Sequence, residues 1–260
     1  MTENPLILAV ETSGRTGSVA IALGQKMLAE TPFSGLMRHS SEIFPAICSL
    51  LKAFSKKPKD IEHIYISVGP GSFTGLRIAV ALAKTIHLAN AAKIVTVATM
   101  DVIAANATDY IEQKNTAIRK IATILDAKRR QFFIAVYERT RQNARTVNEG
   151  VWNKILPDSL MTTSQFIDTF AGKAEPIWLL GEGLLYYEDA FKAEGIHLLD
   201  KNYWNPTAAK VHSIGWQMAL QKKFADPLTL QPAYLRSPEI GKKRKSPQKH
   251  QPITRHPERS

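Results

Sequence analysis

Short apolar runs separated by turn residues fill the first third of the chain. They predict buried strands over residues 6–12, 18–23 and 27–31, and the intervening turns are tight enough to make a meander. A helical period begins after Ser40 or Ser41, either of which is a suitable N-cap. The elements that follow are a helix over 41–54, a strand over 61–68, a helix over 74–90, a strand over 93–97 and a helix over 100–112. This β-β-β-α-β-α-β-α order predicts a mixed sheet that is covered by helices.

The second half of the chain repeats this order more loosely. Its predicted elements are strands over 119–125, 131–138, 145–152 and 177–180 and helices over 163–170, 184–193 and 211–224. Two units that each combine a meander with helices are typical of the duplicated RNase-H-like, actin-like (ASKHA) fold. We therefore predict an α/β protein with two lobes of mixed sheet flanked by helices. The first lobe is assigned to residues 1–113 and the second to residues 114–236.

The apolar pattern stops after Arg236, and a basic segment follows. Residues 237–260 carry seven Lys or Arg and two Glu, a net charge of +5 out of +11 for the whole chain, and four prolines interrupt them. This composition predicts disorder. A basic tail either contacts a polyanion, RNA above all, or is a solubilising extension, and the sequence leaves both readings open. The candidate RNA contacts are Lys242, Lys243, Arg244 and Lys245.

The composition also bounds the compartment. Of the 260 residues 44% are apolar, enough for a sizeable core, while the longest apolar run, 78–83, is far too short to cross a bilayer. The first residues do not form a secretory signal. The single cysteine, Cys48, rules out an internal disulfide and fits a reducing compartment. We therefore expect a cytoplasmic protein that does not contact a membrane.

Two glycine-containing turns are candidates for binding phosphate. The segment 69–77 (GPGSFTGLR) lies between a strand and a helix, where free backbone N–H groups can bind an anion, although its spacing is neither a P-loop nor a dinucleotide fingerprint. The turn at 11–14 lies where actin-like ATPases keep a phosphate-cradling hairpin, and Glu11 could partly replace their usual Asp. A tight turn or helix cap explains either segment equally well. The candidate residues are Glu11, Thr12, Ser13, Gly69, Gly71, Ser72 and Gly75.

Weaker candidates occur in the second half, and the histidines are uninformative. The pair Gly181 and Gly183 could form a matching loop there, or only a structural turn. The basic run 128–130 follows Asp126 at a predicted hairpin and is either a solvated turn or a phosphate contact. No two of the seven histidines are four residues apart, so we predict no helical metal site, and no catalytic triad can be chosen from spacing.

The predicted helices 41–54 and 74–90 carry more apolar positions than one buried face requires. A surface helix needs one apolar face, so a second face implies another burial partner, either a helix of the same chain or another subunit. We predict that these helices form a partner interface. In the first helix the residues that would carry it are Ile43, Ile47 and Leu50. In the second they are Ile78, Leu82 and Ile86, or Leu76 and Val80 instead if the core of the chain itself uses the Ile78 stripe.

Several of these segments, taken together and in this order, resemble the TsaB (formerly YeaZ) family of bacterial tRNA threonylcarbamoyladenosine biosynthesis. The matching segments are 8–13 (LAVETS), 39–42 (HSSE), 69–78 (GPGSFTGLRI), 126–129 (DAKR) and 232–236 (PAYLR). The resemblance is strong over residues 6–113, weaker but in order up to residue 236, and absent from the tail.

The resemblance implies an actin-like fold without a complete active site: a non-catalytic scaffold with no cofactor. It implies pairing through the first-half helices with the paralogous catalytic subunit TsaD, joined by the ATPase TsaE. The isolated protein could form a homodimer through the same helices, because a two-fold axis lets one patch pair with itself. TsaD carries two metal-binding histidines four residues apart on the helix after the strand equivalent to 93–97, and the corresponding positions here are Thr99 and Ile103. The alternatives are a small actin-like ATPase or kinase, and an RNA-binding accessory protein that acts through the tail.

Overall fold

The structure is a computed structural model that describes residues 4–35, 38–114, 116–140 and 152–233. The four candidate RNA contacts of the tail lie outside the described residues, as does most of the strand predicted at 145–152.

The first lobe is built on a five-stranded mixed sheet. Its strands are β1 (Leu6–Glu11), β2 (Ser18–Leu23), β3 (Lys26–Pro32), β4 (His63–Gly69) and β5 (Lys93–Ala98). They lie in the order β3-β2-β1-β4-β5, antiparallel through the meander and parallel from β1 to β5. The helices α1 (His39–Ala53) and α2 (Phe73–Asn90) cover one face of this sheet. The side chains of β1 therefore alternate between two buried environments and are apolar on both faces up to Val10.

The second lobe repeats the topology of the first. Its strands are β6 (Lys120–Asp126), β7 (Gln131–Arg139), β8 (Trp152–Thr162), β9 (Ile177–Leu180) and β10 (Ile196–Leu198), in the order β10-β9-β6-β7-β8. The pairing is again antiparallel in the meander and parallel across β6, β9 and β10. The helix α3 (Thr99–Lys114) packs its apolar side on this sheet, and α4 (Thr163–Phe170) follows β8. The predicted duplicated, actin-like α/β architecture is confirmed.

Three elements of the second half differ from the sequence prediction. The strand β8 begins at Trp152, the last residue of the strand predicted at 145–152, and continues to Thr162. The helix predicted at 184–193 is replaced by two short 3-10 helices, Glu182–Leu184 and Glu188–Phe191, whose last residues are buried in the lobe core. Leu184 and Phe191 are seven positions apart, a spacing that fits one continuous helix as well as two separate turns. The apolar spacing alone therefore did not distinguish the two structures. The short strand β10 was missed because three residues are too few to show an alternating pattern.

The last helix, α5 (Ala208–Leu220), returns to the first lobe. Its buried residues Val211 and Ala219 pack on the face of the first sheet opposite α1 and α2. A Cβ on Gly215 would lie 2.6 Å from the Tyr65 ring, so this glycine lets the helix approach β4 closely. The assignment of all residues from 114 to 236 to the second lobe therefore does not describe α5, because the apolar side of this helix covers the first sheet.

The predicted partner-interface residues lie largely inside the protein. Six of them, Ile43, Ile47, Leu50, Leu76, Val80 and Leu82, are buried, and Ile78 and Ile86 are half-buried against the core between the first sheet and its two helices. The expectation that these side chains face outward is wrong for those six, because α1 and α2 pack on each other as well as on the sheet. The apolar groups that the two helices do expose include Phe44 (59% exposed) and Phe73 (41% exposed).

Among the described residues, no helix is both long and apolar enough to cross a membrane.

Candidate functional site

Three polar side chains lie where the parallel strands of the first sheet end. Glu11 ends β1, Ser67 is near the end of β4 and Thr99 directly follows β5. Side chains alternate along a strand, and each of these residues lies two positions beyond an apolar residue of the α5 side, namely Ala9, Tyr65 and Val97. All three polar side chains are fully buried. The carboxyl edge of a parallel sheet is the usual place for a ligand in open α/β folds, so this edge is the candidate site.

The carboxylate of Glu11 turns back onto the hairpin that follows it. Its Oε1 accepts hydrogen bonds from both the backbone N–H and the hydroxyl of Ser13, and the N–H of Gly14 is near enough to lower the pKa of the carboxyl group. Oε2 has no hydrogen-bond partner among the described residues. The Ser67 hydroxyl is close enough to favour the charged form, but within the described ranges it makes no hydrogen bond of ordinary geometry. Burial outweighs these donors and raises the pKa of Glu11.

A second carboxylate reaches the same hairpin from the other lobe. The backbone N–H of Arg15 donates to both oxygens of Glu182, at 3.0 Å to Oε1 and 2.9 Å to Oε2, and the N–H of Thr16 is near enough to favour the charged form. Burial raises the pKa of Glu182, and the nearby charge of Glu11 raises it further. The Arg15 side chain points the other way, donating to the Tyr186 hydroxyl at 2.7 Å with its guanidinium carbon 5.4 Å from that ring's centroid.

The structure also brings the two predicted glycine turns together. The N–H of Ser72 donates to the carbonyl of Ser13 at 2.7 Å, and the Thr12 hydroxyl donates to the carbonyl of Gly75 at 2.8 Å. This close approach requires glycine, because a Cβ on Gly75 would lie 1.8 Å from the Thr12 carbonyl oxygen, and one on Gly71 would lie 2.5 Å from that of Ser13. The Ser72 hydroxyl caps α2 by accepting from the N–H of Gly75. The amides that were expected to bind phosphate thus donate to groups of the protein itself, and phosphate binding stays a prediction.

The two positions at which the resemblance implied metal-binding histidines in a catalytic relative lie in the first turns of α3. Thr99 and Ile103 are both fully buried, and the Thr99 hydroxyl has no partner among the described residues. Ile103 belongs to the apolar core of the second lobe. In the part of the chain that the structure describes, no three His, Cys, Asp or Glu side chains are grouped closely enough to hold a metal ion.

Glu182 is the site residue that the sequence did not indicate. The flanking glycines marked this loop as a weak candidate, but nothing near Glu182 in sequence shows that it contacts Arg15, 167 residues away.

The basic run after Asp126 forms the tip of the β6–β7 hairpin. There Asp126 accepts from the N–H of Lys128, and residues 128–130 all have positive φ, between 56° and 66°.

Comparisons with known proteins agree with this architecture. A family model described as TsaD, tRNA N6-adenosine threonylcarbamoyltransferase, matches residues 31–164. The chain is 28% identical over 237 residues to the tRNA threonylcarbamoyladenosine biosynthesis protein TsaB of Bacillus subtilis (strain 168), covering 90% of this chain and 95% of that protein. It is 26% identical over 239 residues to the Escherichia coli (strain K12) protein of the same name, covering 91% and 97%. The solved structure of YeaZ from Pseudomonas aeruginosa superimposes with a TM-score of 0.70 at 18% identity, covering 89% of this chain and 100% of that one.

Proposed function

Because the chain belongs to the family described as TsaD, tRNA N6-adenosine threonylcarbamoyltransferase, we propose that it acts in the threonylcarbamoylation of tRNA adenosine as a non-catalytic subunit. The resemblance to TsaB (YeaZ) proteins inferred from its motifs is confirmed by relatives that match over nine-tenths of the chain. The chemistry would then be carried out by a TsaD-type partner that uses threonylcarbamoyl-adenylate as donor.

The observation that carries the non-catalytic assignment is the side-chain chemistry at the start of α3. Ile103 has no atom that can bind a metal, and Thr99 offers a neutral hydroxyl in place of an imidazole. Both side chains are fully buried, and Ile103 belongs to the apolar core of the second lobe. The chain thus keeps the fold of a catalytic relative without an imidazole at either position.

The partners follow from the same assignment. A TsaD-type subunit has the same fold, so its first-half helices could pack against α1 and α2 in a pseudo-symmetric bundle, with a TsaE-type ATPase joining the pair. The exposed rings of Phe44 and Phe73 are the anchors that this surface offers, since large aromatic groups dominate the binding energy of many interfaces. A homodimer through the same face is expected when the protein is alone, because a two-fold axis lets one patch pair with itself.

The alternative of a small ATPase or kinase is less well supported. The hairpin that would hold a nucleotide phosphate donates its amides to Glu11 and Glu182 instead, and these two carboxylates would repel a phosphate. The alternative of an RNA-binding accessory protein depends on the tail, which lies outside the described residues.

Reconstitution tests the proposal. Purified chain, TsaD-type subunit and TsaE-type ATPase from one organism are mixed with donor and unmodified tRNA, and the modified nucleoside is measured by mass spectrometry. We expect no product from the chain alone, full activity from the complete mixture, and loss of activity when the chain is left out. Metal analysis of the chain should find neither iron nor zinc in stoichiometric amount. Product from the chain alone, or unchanged activity without it, would refute the proposal.

A further inference from the structure

Four successive backbone amides of the β1–β2 hairpin point at acidic groups. We call the N–H groups of residues 13–16 the amide nest. The N–H of Ser13 donates to Glu11 and that of Arg15 to Glu182, while the N–H groups of Gly14 and Thr16 are near enough to the same two carboxyl groups to favour their charged forms. Successive amides in a turn can form a concave site for an anion, the arrangement by which many proteins hold phosphate. The nest therefore has the properties of an anion site, and the protein's own carboxylates fill it.

The two carboxylates have different origins. Glu11 lies at the end of the strand that leads into the hairpin, so its contact is local and belongs to the first lobe. Glu182 lies in the 3-10 helix after β9 and reaches the hairpin across the gap between the lobes. Its path is narrow, because a Cβ added to Gly14 would lie 3.2 Å from Oε1 of Glu182. The lobes must therefore be close together for Glu182 to reach the nest.

Glu182 also places a second carboxylate in a cleft that already holds Glu11. The burial of Glu182 and the nearby charge of Glu11 both oppose its ionisation and raise its pKa. The N–H of Arg15, which donates to both carboxylate oxygens, holds Glu182 in place, and the Arg15 side chain is itself tied to Tyr186 beside it. A charged acceptor of amide hydrogen bonds is stronger than a neutral one, so the carboxylate is better suited to the nest than an amide side chain would be.

We propose that the amide nest is an anion-binding site whose resident ligand is Glu182, which holds the two lobes together in the absence of any bound nucleotide. Ligands that carry a phosphate or a small carboxylate bind the nest only after Glu182 has left it. The Glu182 side chain thereby keeps the two lobes together and excludes phosphate from the cleft between them. This inference goes beyond the tRNA-modification role and does not depend on it.

Replacement of Glu182 by alanine in the full-length chain tests the proposal. Loss of the carboxylate should free the amides of Arg15 and Thr16, and their hydrogen exchange should accelerate by about one order of magnitude or more. Sodium phosphate or sodium acetate should then raise the melting temperature of Glu182→Ala relative to sodium chloride at matched ionic strength, and should slow the exchange again. Wild-type protein should show neither response, because its nest is occupied.

The matched control is Glu194→Ala, which removes an exposed carboxylate of the same lobe. It should behave as the wild type in exchange and in its response to anions. If Glu182→Ala behaves like this control in both measurements, the proposal is wrong. If Glu182→Ala fails to fold, Glu182→Gln takes its place, since it keeps the shape and one acceptor while removing the charge. Glu182→Gln should show intermediate exchange and an intermediate anion response, and wild-type behaviour of this variant would likewise overturn the proposal.

Discussion

The guanidinium carbon of Arg77 lies 3.7 Å from the centroid of the Phe73 ring, so a cation covers an exposed aromatic side chain at the first turn of α2. A cation in this position is attracted by the negative face of the ring and restricts its motion. Phe73 is thus held in place before any partner arrives, which lowers the entropy that binding must remove. This pair lies on the solvent-exposed side of α2, and α1 covers the same face of the first sheet as α2.

The first prediction concerns this outward face. Phe73→Glu and Phe44→Glu should each weaken binding to a TsaD-type subunit by at least tenfold, about 1.4 kcal/mol, because a charge would replace an aromatic anchor in an apolar contact. Both side chains are exposed, so both variants should remain folded. Affinity is measured by calorimetry and folding by circular dichroism.

Leu228→Glu is the control for this prediction. Leu228 is 90% exposed and lies after α5, so the same apolar-to-acid change there should leave both folding and affinity as they are. Undiminished binding by both phenylalanine variants would show that the partner uses another surface.

The second prediction concerns the buried sides of the same helices. Val80→Glu and Leu82→Glu should both unfold the first lobe, because each places a carboxylate in the core between the sheet and its two helices. Burial of an unpaired charge costs several kcal/mol, a large part of the stability of a typical domain. Circular dichroism and sedimentation check this outcome. If either variant stays folded with native stability, that side chain does not belong to the core as described.

The sequence predicted the fold well because its information was local. The apolar run of β1 and the helical periods of α1 and α2 each depend on residues within one element. The same periods could not tell which apolar residues face the core, since α1 and α2 bury more than one side of each helix against different neighbours. Ile47 and Val80 were therefore assigned to an outward face and lie in the core instead.

The candidate site was predictable only in part, for a related reason. Glu11 and Ser72 were found because glycine and small polar residues mark a turn in sequence. Glu182 was not found, because its role depends on the approach of two lobes and on a partner 167 residues away. The return of α5 to the first sheet was missed for the same reason: its apolar period shows that one side is buried, but not which sheet it covers.

The third prediction concerns the basic tail. Its net charge of +5 should add electrostatic affinity for tRNA, and each phosphate it neutralises should add about 0.9 to the slope of log affinity against log salt. Truncation after Arg236 should leave folding and partner binding unchanged and flatten that slope for the assembled complex. Binding is measured by filter retention between low and moderate salt. An identical slope before and after truncation would leave the tail as a solubilising extension.

The last prediction concerns the buried carboxylate of Glu11 and its dependence on pH. Burial raises the pKa of Glu11 above its ordinary value of 4.5, so between 4.5 and the raised pKa the folded protein binds more protons than the unfolded chain. Stability contributed by this group is therefore fully present below pH 4.5 and is lost as the pH rises through the raised pKa.

Glu11→Gln keeps an oxygen acceptor for Ser13 but cannot ionise, so its free energy of unfolding should exceed that of the wild type by an amount that grows from pH 4.5 to pH 8. Glu11→Ala should instead lose about 1–3 kcal/mol even at pH 4.5, because the buried donors of Ser13 are left without an acceptor. Urea unfolding at several pH values gives these differences. A Glu11→Gln variant whose advantage shrinks with rising pH would mean that the folded protein stabilises the charged form, and the account of this cleft as a desolvated carboxylate site would have to be abandoned.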